Sequence, residues 1–184
     1  MKRILLHVCC APDGLYSASV LLKEYHVTGY FYNPCIQPAD EYALRSAEYA
    51  RVSSLLGIDS LEAPCDETRF AELAKGHEKD PERGARCALC YNMRLERTAR
   101  EAMNRGFDLF ATTLTLSPHK NAALINGTGI EEASKCGARY LPSDFKKNDG
   151  FKKSIEMSRA AGLYRQNYCG CLYSIRKTGV KNNV

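Results

Sequence analysis

Residues 4–22, ILLHVCCAPDGLYSASVLL, pass from a short apolar run into a helical pattern across a tight turn. Apart from His7, residues 4–8 are apolar, and they are β-branched at both ends, the signature of a buried strand. Asp13 and Gly14 then open a stretch in which Leu15, Ala18 and Leu22 recur at spacings of three and four, the period of an amphipathic helix. The next segment repeats that order. Residues 27–32 read as a strand, stopped at Asn33 and Pro34 because proline cannot donate to a ladder. A helix follows over 39–56, closed by Gly57. Further on, the patterns predict a short helix over 66–76, a polar loop over 77–86, a helix over 87–105, a strand over 107–114, a helix over 119–135 weakened by Gly127 and Gly129, a short strand at 140–141 and a last helix over 154–163. Strands alternating with helices predict an α/β fold, a mainly parallel sheet with helices on both faces. The ends of such strands carry the site, and Cys9 and Cys10 lie where the first strand ends.

The chain of 184 residues fits a single domain, 1–184, with no internal repeat or linker. No apolar run is long enough to span a bilayer. The opening MKRILLHVCC resembles a signal peptide only superficially, since His7 and two cysteines interrupt its short apolar stretch. A membrane partner is therefore not expected, and the cytoplasm is the expected compartment. The net charge of +5 suits a nucleic-acid partner without requiring one.

The chain holds nine cysteines, an odd number, so any intramolecular disulfide scheme leaves a thiol over. Cytosolic thiols are kept reduced, which turns the reading toward metal or redox chemistry. Six of the thiols form close pairs: Cys9–Cys10, Cys87–Cys90 and Cys169–Cys171. The C-x-x-C spacing at a helix start gathers two thiolates where the helix dipole favours them. The C-x-C spacing points two thiols one way if the segment is extended. Adjacent cysteines normally diverge, which suggests two different metals for Cys9 and Cys10. Six thiols exceed the four that one zinc or one four-iron cluster takes. Asp13 reads either as a helix N-cap or as a further metal ligand. Cys35, Cys65 and Cys136 read as ordinary small side chains. Tyr91 is a candidate for substrate contact or for core packing, and Arg94 for substrate contact or a solvated helix face.

Six segments carry a resemblance to a known family. They are LLHVCCAPD at 5–13, FYNPCIQPADEYALR at 31–45, CALCYNMRLERTA at 87–99, FDLFATTLTLSPHKN at 107–121, DFKKNDGFKKS at 144–154 and YRQNYCGC at 164–171. In this order they resemble the motifs of the cobalamin-independent epoxyqueuosine reductases, the QueH family. The resemblance implies a Rossmann-like fold of the adenine-nucleotide-hydrolase group and a 4Fe-4S cluster, without cobalamin. It implies reduction of epoxyqueuosine to queuosine at the wobble position of tRNA, the last step of queuosine biosynthesis. Two positions depart from the family pattern: Asp13 stands where many members have a cysteine, and Cys35 where an asparagine is common, which makes Cys35 dispensable on this reading.

Epoxide deoxygenation consumes two electrons and protons that no side chain supplies. No G-x-G-x-x-G follows a strand, so a built-in nicotinamide or flavin is not expected. An external donor such as ferredoxin, feeding a 4Fe-4S cluster, is. The expected cluster ligands are Cys10, Cys87, Cys90 and Cys169, leaving Cys9, Cys171 and Asp13 for a second, open iron acting as Lewis acid. Tyr91, Arg94, Thr112, Thr113, Ser117, Lys120 and Asn121 are expected around the substrate. Lys146, Lys147, Lys152, Lys153 and Arg165 are expected to meet tRNA phosphates. Two other functions compete. An ATP-dependent tRNA-modifying enzyme of the pyrophosphatase-loop type would want small residues with free amides after the first strand, where this chain has Pro12 and Asp13. A zinc-stabilised RNA-binding module would use the same thiols, and lack of colour would distinguish it.

Overall fold

The computed structural model describes residues 1–175. Four strands, β1 (Lys2–His7), β2 (Tyr25–Phe31), β3 (Asp59–Glu62) and β4 (Leu109–Thr112), form one parallel sheet in the order β3-β2-β1-β4. Ile4, Leu5 and Leu6 on β1 are wholly buried although alternate side chains face opposite ways, so both faces of the sheet are covered. Helices α1 (Ala11–Leu21), α2 (Ala39–Leu56) and α6 (Gly150–Ala160) pack as one group; α3 (Glu67–Ala74), α4 (Ala85–Asn104) and α5 (Ala122–Cys136) pack as another. The predicted α2 matches its observed span, and Gly57 ends it in the left-handed region at φ 64°. Its side chain Tyr49 lies so close to Gly29 of β2 that a Cβ there would meet the Tyr49 hydroxyl at 2.0 Å, so only glycine admits α2 to the sheet at this height.

Three expectations need correction. Strand β3 was not predicted: DSLE is a short, largely exposed edge strand without apolar alternation. The strand over 107–114 is shorter, because Thr113–Leu116 turns into a 3-10 helix after β4. The strand at 140–141 is a single parallel bridge between Tyr140 and Phe110.

What positions the site is the carboxyl end of β1. His7 is fully buried, with Nδ1 2.9 Å from the Thr112 hydroxyl of β4 and Nε2 3.2 Å from the Tyr32 carbonyl beyond β2. A carbonyl only accepts, so Nε2 carries the proton and Thr112 donates to Nδ1. The next residue is fixed as well: the Val8 amide donates to the Tyr30 carbonyl at 2.8 Å, and the Asn33 amide nitrogen donates to the Val8 carbonyl at 2.8 Å. Burial, aided by the charge of Arg94, lowers the His7 pKa to about 3. Between that value and its ordinary 6.5 the unfolded chain binds a proton that the fold refuses, so stability rises with pH through this window. The urea midpoint should therefore fall from pH 7 to pH 5, and the fall should be smaller in His7→Gln; an equal fall in both would remove His7 as its cause.

Candidate metal centre

At Cys10 the chain turns from strand into helix. Cys10 is the N-cap of α1, in extended conformation at φ −163°, and makes no side-chain cap bond. This turn brings the adjacent thiols together: the Cys9 and Cys10 sulfurs are 4.0 Å apart, which corrects the expectation that neighbouring cysteines diverge. Asp13 Oδ2 lies 3.4 Å from the Cys9 sulfur. One ligand atom from each of Cys9, Cys10 and Asp13 falls within 4.8 Å of the others. Asp13 is thus not the N-cap; it sits in the first turn with its carboxylate toward the thiols. Thr113 braces the group, since its hydroxyl accepts from the Cys9 amide at 3.1 Å and donates to the Cys9 sulfur at 3.2 Å.

The three groups shift one another's protonation. The hydrogen bond from Cys10 holds the Cys9 thiol well below its ordinary pKa, helped by Lys120, Thr113 and Arg94 against the cost of burial. The same bond, with burial and the nearby Asp13, pushes Cys10 up. Burial, then the charge of Cys9, raises the Asp13 carboxyl. A bound cation reverses this logic, because it stabilises the deprotonated form of each group and displaces the protons.

A second set of thiols gathers around the start of α4. Gly84 is its N-cap, so Cys87 and Cys90 fall in the first turns, and the Arg83 amide donates to the Cys87 sulfur at 3.3 Å. Cys90 is buried beside Cys35, with which it shares a hydrogen bond. Arg94, one turn on from Cys90, is 2 % exposed and donates through Nη2 to the Cys35 sulfur. Among the described residues its Nε has no partner. The solvated helix face considered for Arg94 is therefore corrected. So is the reading of Cys35 as an ordinary small side chain: it lies among the site thiols, and the hydrogen bond from Cys90 together with Arg94 lowers its pKa to about 6 despite burial.

Beside Cys9 and Asp13 opens a cavity of about 290 Å³, lined also by Tyr91, Arg94, Ser117, Lys120 and Cys169 and by Arg83, Phe151, Arg165 and Tyr168. Cys169 is exposed because it faces this opening, yet protein atoms crowd it enough that burial raises its pKa. Cys171 is buried in the core instead. Gly170 between them has φ 124°, so the segment is not regularly extended and the two thiols do not line the cavity together. Other candidates serve elsewhere. Thr112 bonds His7, and Asn121 caps α5 through the Ala123 and Leu124 amides. Lys146 braces the loop internally, its ammonium donating to the Lys120 and Thr115 carbonyls at 3.2 and 3.5 Å, with Asp144 at 3.4 Å. Lys147, Lys152 and Lys153 are exposed, Lys153 donating to the Asn148 carbonyl.

The chain is similar to known proteins over nearly its whole length. The family model described as Epoxyqueuosine reductase QueH matches residues 4–177. The chain belongs to this family. An epoxyqueuosine reductase QueH from Streptococcus pyogenes serotype M1 is 41% identical over 96% of this chain and 72% of its own length; the one from Thermotoga maritima is 38% identical over 95% and 91%. Among solved structures, the fold is similar to a U34-tRNA thiolase, NcsA, from Methanococcus maripaludis, described with its [4Fe-4S] cluster (TM-score 0.60, 14% identity, 95% of this chain and 61% of that one). It is also similar to a predicted tRNA methyltransferase subunit from Methanocaldococcus jannaschii (TM-score 0.55, 17% identity, 85% and 76%). These two likenesses establish the Rossmann-type fold of the QueH chain.

Arg94 makes a local test possible. In the metal-free chain, Arg94→Gln should raise the Cys35 thiol above about 6, because it removes a buried positive charge and a donor. The ultraviolet thiolate titration, taken as a difference against Cys35→Ser in each background, checks this; an unchanged Cys35 transition would show that Arg94 does not control it.

Proposed function

We propose that this chain reduces epoxyqueuosine to queuosine at the wobble position of tRNA, with a 4Fe-4S cluster and a second iron held by its thiols, without cobalamin, in the cytoplasm. The observation that carries this reading is the convergence of Cys9, Cys10 and Asp13 on one point at the mouth of β1, facing a cavity whose walls include Cys169, Arg94 and Lys120. The donor set fits iron. Cys9 and Asp13 suit an ion with a free coordination position, and Cys10 beside them, with Cys87, Cys90 and Cys169, makes up the four thiols that a cluster takes. Arg94 supports the same conclusion. A buried guanidinium costs several kcal/mol unless anions surround it, and metal-bound thiolates are such anions.

Held by these residues, a cluster would supply single electrons from a donor such as ferredoxin, and an iron at Cys9 and Asp13 would supply Lewis acidity toward the epoxide oxygen. The protein's own residues supply the rest. Deoxygenation takes two electrons and two protons and releases water, so proton donors must face the substrate. Lys120 and Tyr91 line the cavity. Burial opposes the charge on Lys120, but the thiols of Cys169 and Cys9 outweigh it and hold the ammonium protonated; burial keeps the Tyr91 phenol protonated as well. Both are donors at neutral pH. Phe151 and Tyr168 in the cavity wall offer flat surfaces to an unstacked base, and Arg83 and Arg165 offer charge to phosphates.

The turn after β1 argues against a nucleotide-using enzyme, since Pro12 stands in the first turn of α1 without an amide hydrogen and Asp13 follows it. Anaerobic reconstitution with iron and sulfide should give brown protein with about four sulfides per chain. With a one-electron reductant it should convert epoxyqueuosine to queuosine in tRNA, read by nucleoside mass spectrometry. Colourless protein that holds zinc and converts the nucleoside equally well would overturn the iron–sulfur reading.

A further inference from the structure

Cys169 is carried by an unusual support. Between α6 and the 3-10 turn at Leu172–Ser174 the chain has neither helix nor strand, and Cys169 faces the cavity from this irregular stretch. A ligand that must meet thiols from the other side of the cavity needs its backbone fixed. No ladder does this here. Side chains of α2 do, and the one that holds the backbone of Cys169 itself is Arg45.

Arg45 is 2 % exposed, and each of its nitrogens is used. Nη1 donates to the Cys169 carbonyl at 3.0 Å and Nη2 to the Tyr168 carbonyl at 3.2 Å. Nε donates to Glu41 Oε1 at 2.6 Å, one turn back on α2. The guanidinium carbon lies 5.1 Å from the centroid of the Tyr168 ring. Glu41 in turn accepts from the Tyr164 hydroxyl at 2.9 Å, tying down the start of the same segment. The loop before α2 completes the grip, with the Gln37 amide donating to the Gly170 carbonyl at 2.9 Å. Gly170 is required by this geometry: its φ is 124°, and a Cβ would come within 2.9 Å of Ile36 and 3.2 Å of Arg45 Nη1.

We propose that Arg45, oriented by Glu41, is the positioning residue for Cys169: a latch from α2 that sets the third wall of the metal cavity. The planar fork of arginine matches two successive carbonyls in a way lysine cannot. The inference rests on Cys169 being a ligand of the iron–sulfur centre, but the bonds of the latch join protein groups alone and are testable without metal. A residue that merely stabilised the fold would, when changed, loosen many segments together. A latch loosens one.

The experiment is hydrogen–deuterium exchange with mass spectrometry on the full-length metal-free chain, comparing wild type, Arg45→Lys and Glu41→Gln, followed by reconstitution of each. Exchange in the peptide covering 163–171 should rise by about tenfold in Arg45→Lys, the scale of one lost charge-assisted hydrogen bond, with peptides of β1 and α4 unchanged. Reconstituted Arg45→Lys should release iron to a ferrous chelator faster than wild type and show an altered electron paramagnetic resonance spectrum when reduced. Glu41→Gln, which keeps the guanidinium, should shift the same readouts in the same direction by less. Exchange that rises equally everywhere, or iron release and spectra identical to wild type, would overturn the latch. Local loosening in a chain whose wild type takes up no iron and sulfide would leave the fork in place and overturn the metal reading on which its role depends.

Discussion

The hydrogen bonds of His7 fix where the reactive thiols leave the sheet. One ring nitrogen holds Thr112 of β4 and the other the carbonyl of Tyr32 beyond β2, so three strand ends are joined immediately before Cys9. Asn33 adds a bond to the Val8 carbonyl. The turn at Cys10 then has little freedom, and the convergence of two adjacent cysteines with Asp13 follows from it. In a parallel sheet all strand ends lie on one edge, which is why Cys35, just past β2, and Thr113, just past β4, arrive at the same place as Cys9.

Charge explains the rest of the site. Thiolates brought together in a protein interior repel one another, and an unpaired guanidinium there is costly. Each solves the other's problem. Arg94 lies among Cys35, Cys90, Cys169 and Cys9, whose charges hold its pKa up against burial, and Lys120 faces Cys169 and Cys9 from the other wall. Arg45 is spent differently, on backbone carbonyls and on Glu41. Two cations close to the sulfurs and a third holding the loop that carries one of them are a division of labour that composition alone does not reveal.

Much of this was legible in the sequence, for identifiable reasons. The α2 helix ends at a glycine stop; β1 carries the apolar run Ile4–Leu6; paired cysteines mark the site. The failures have reasons too. Strand β3 is polar because it is an edge. Arg94 was set apart from the apolar face of α4, although Cys87, Cys90, Tyr91 and Arg94 fall at spacings of three, four and seven, which puts them on one side of the helix; that spacing was the missed signal. Cys35 lacked a partner nearby in sequence, and its partner, Cys90, comes from α4. Lys146 looked like a surface cation because its carbonyl partners, at Thr115 and Lys120, are distant along the chain.

The central claim is that the carboxyl end of β1 is a metal site distinct from the cluster thiols, with Asp13 as one of its ligands. It is tested most directly by counting iron and sulfide in reconstituted Asp13→Asn alongside its turnover of epoxyqueuosine in tRNA. Because asparagine is a far poorer ligand than a carboxylate for a Lewis-acidic iron, the variant should keep the sulfide content and brown colour of wild type, hold about one iron fewer and lose most of its activity. Full activity with an unchanged iron count would contradict the claim and leave Asp13 as an ordinary first-turn carboxylate of α1.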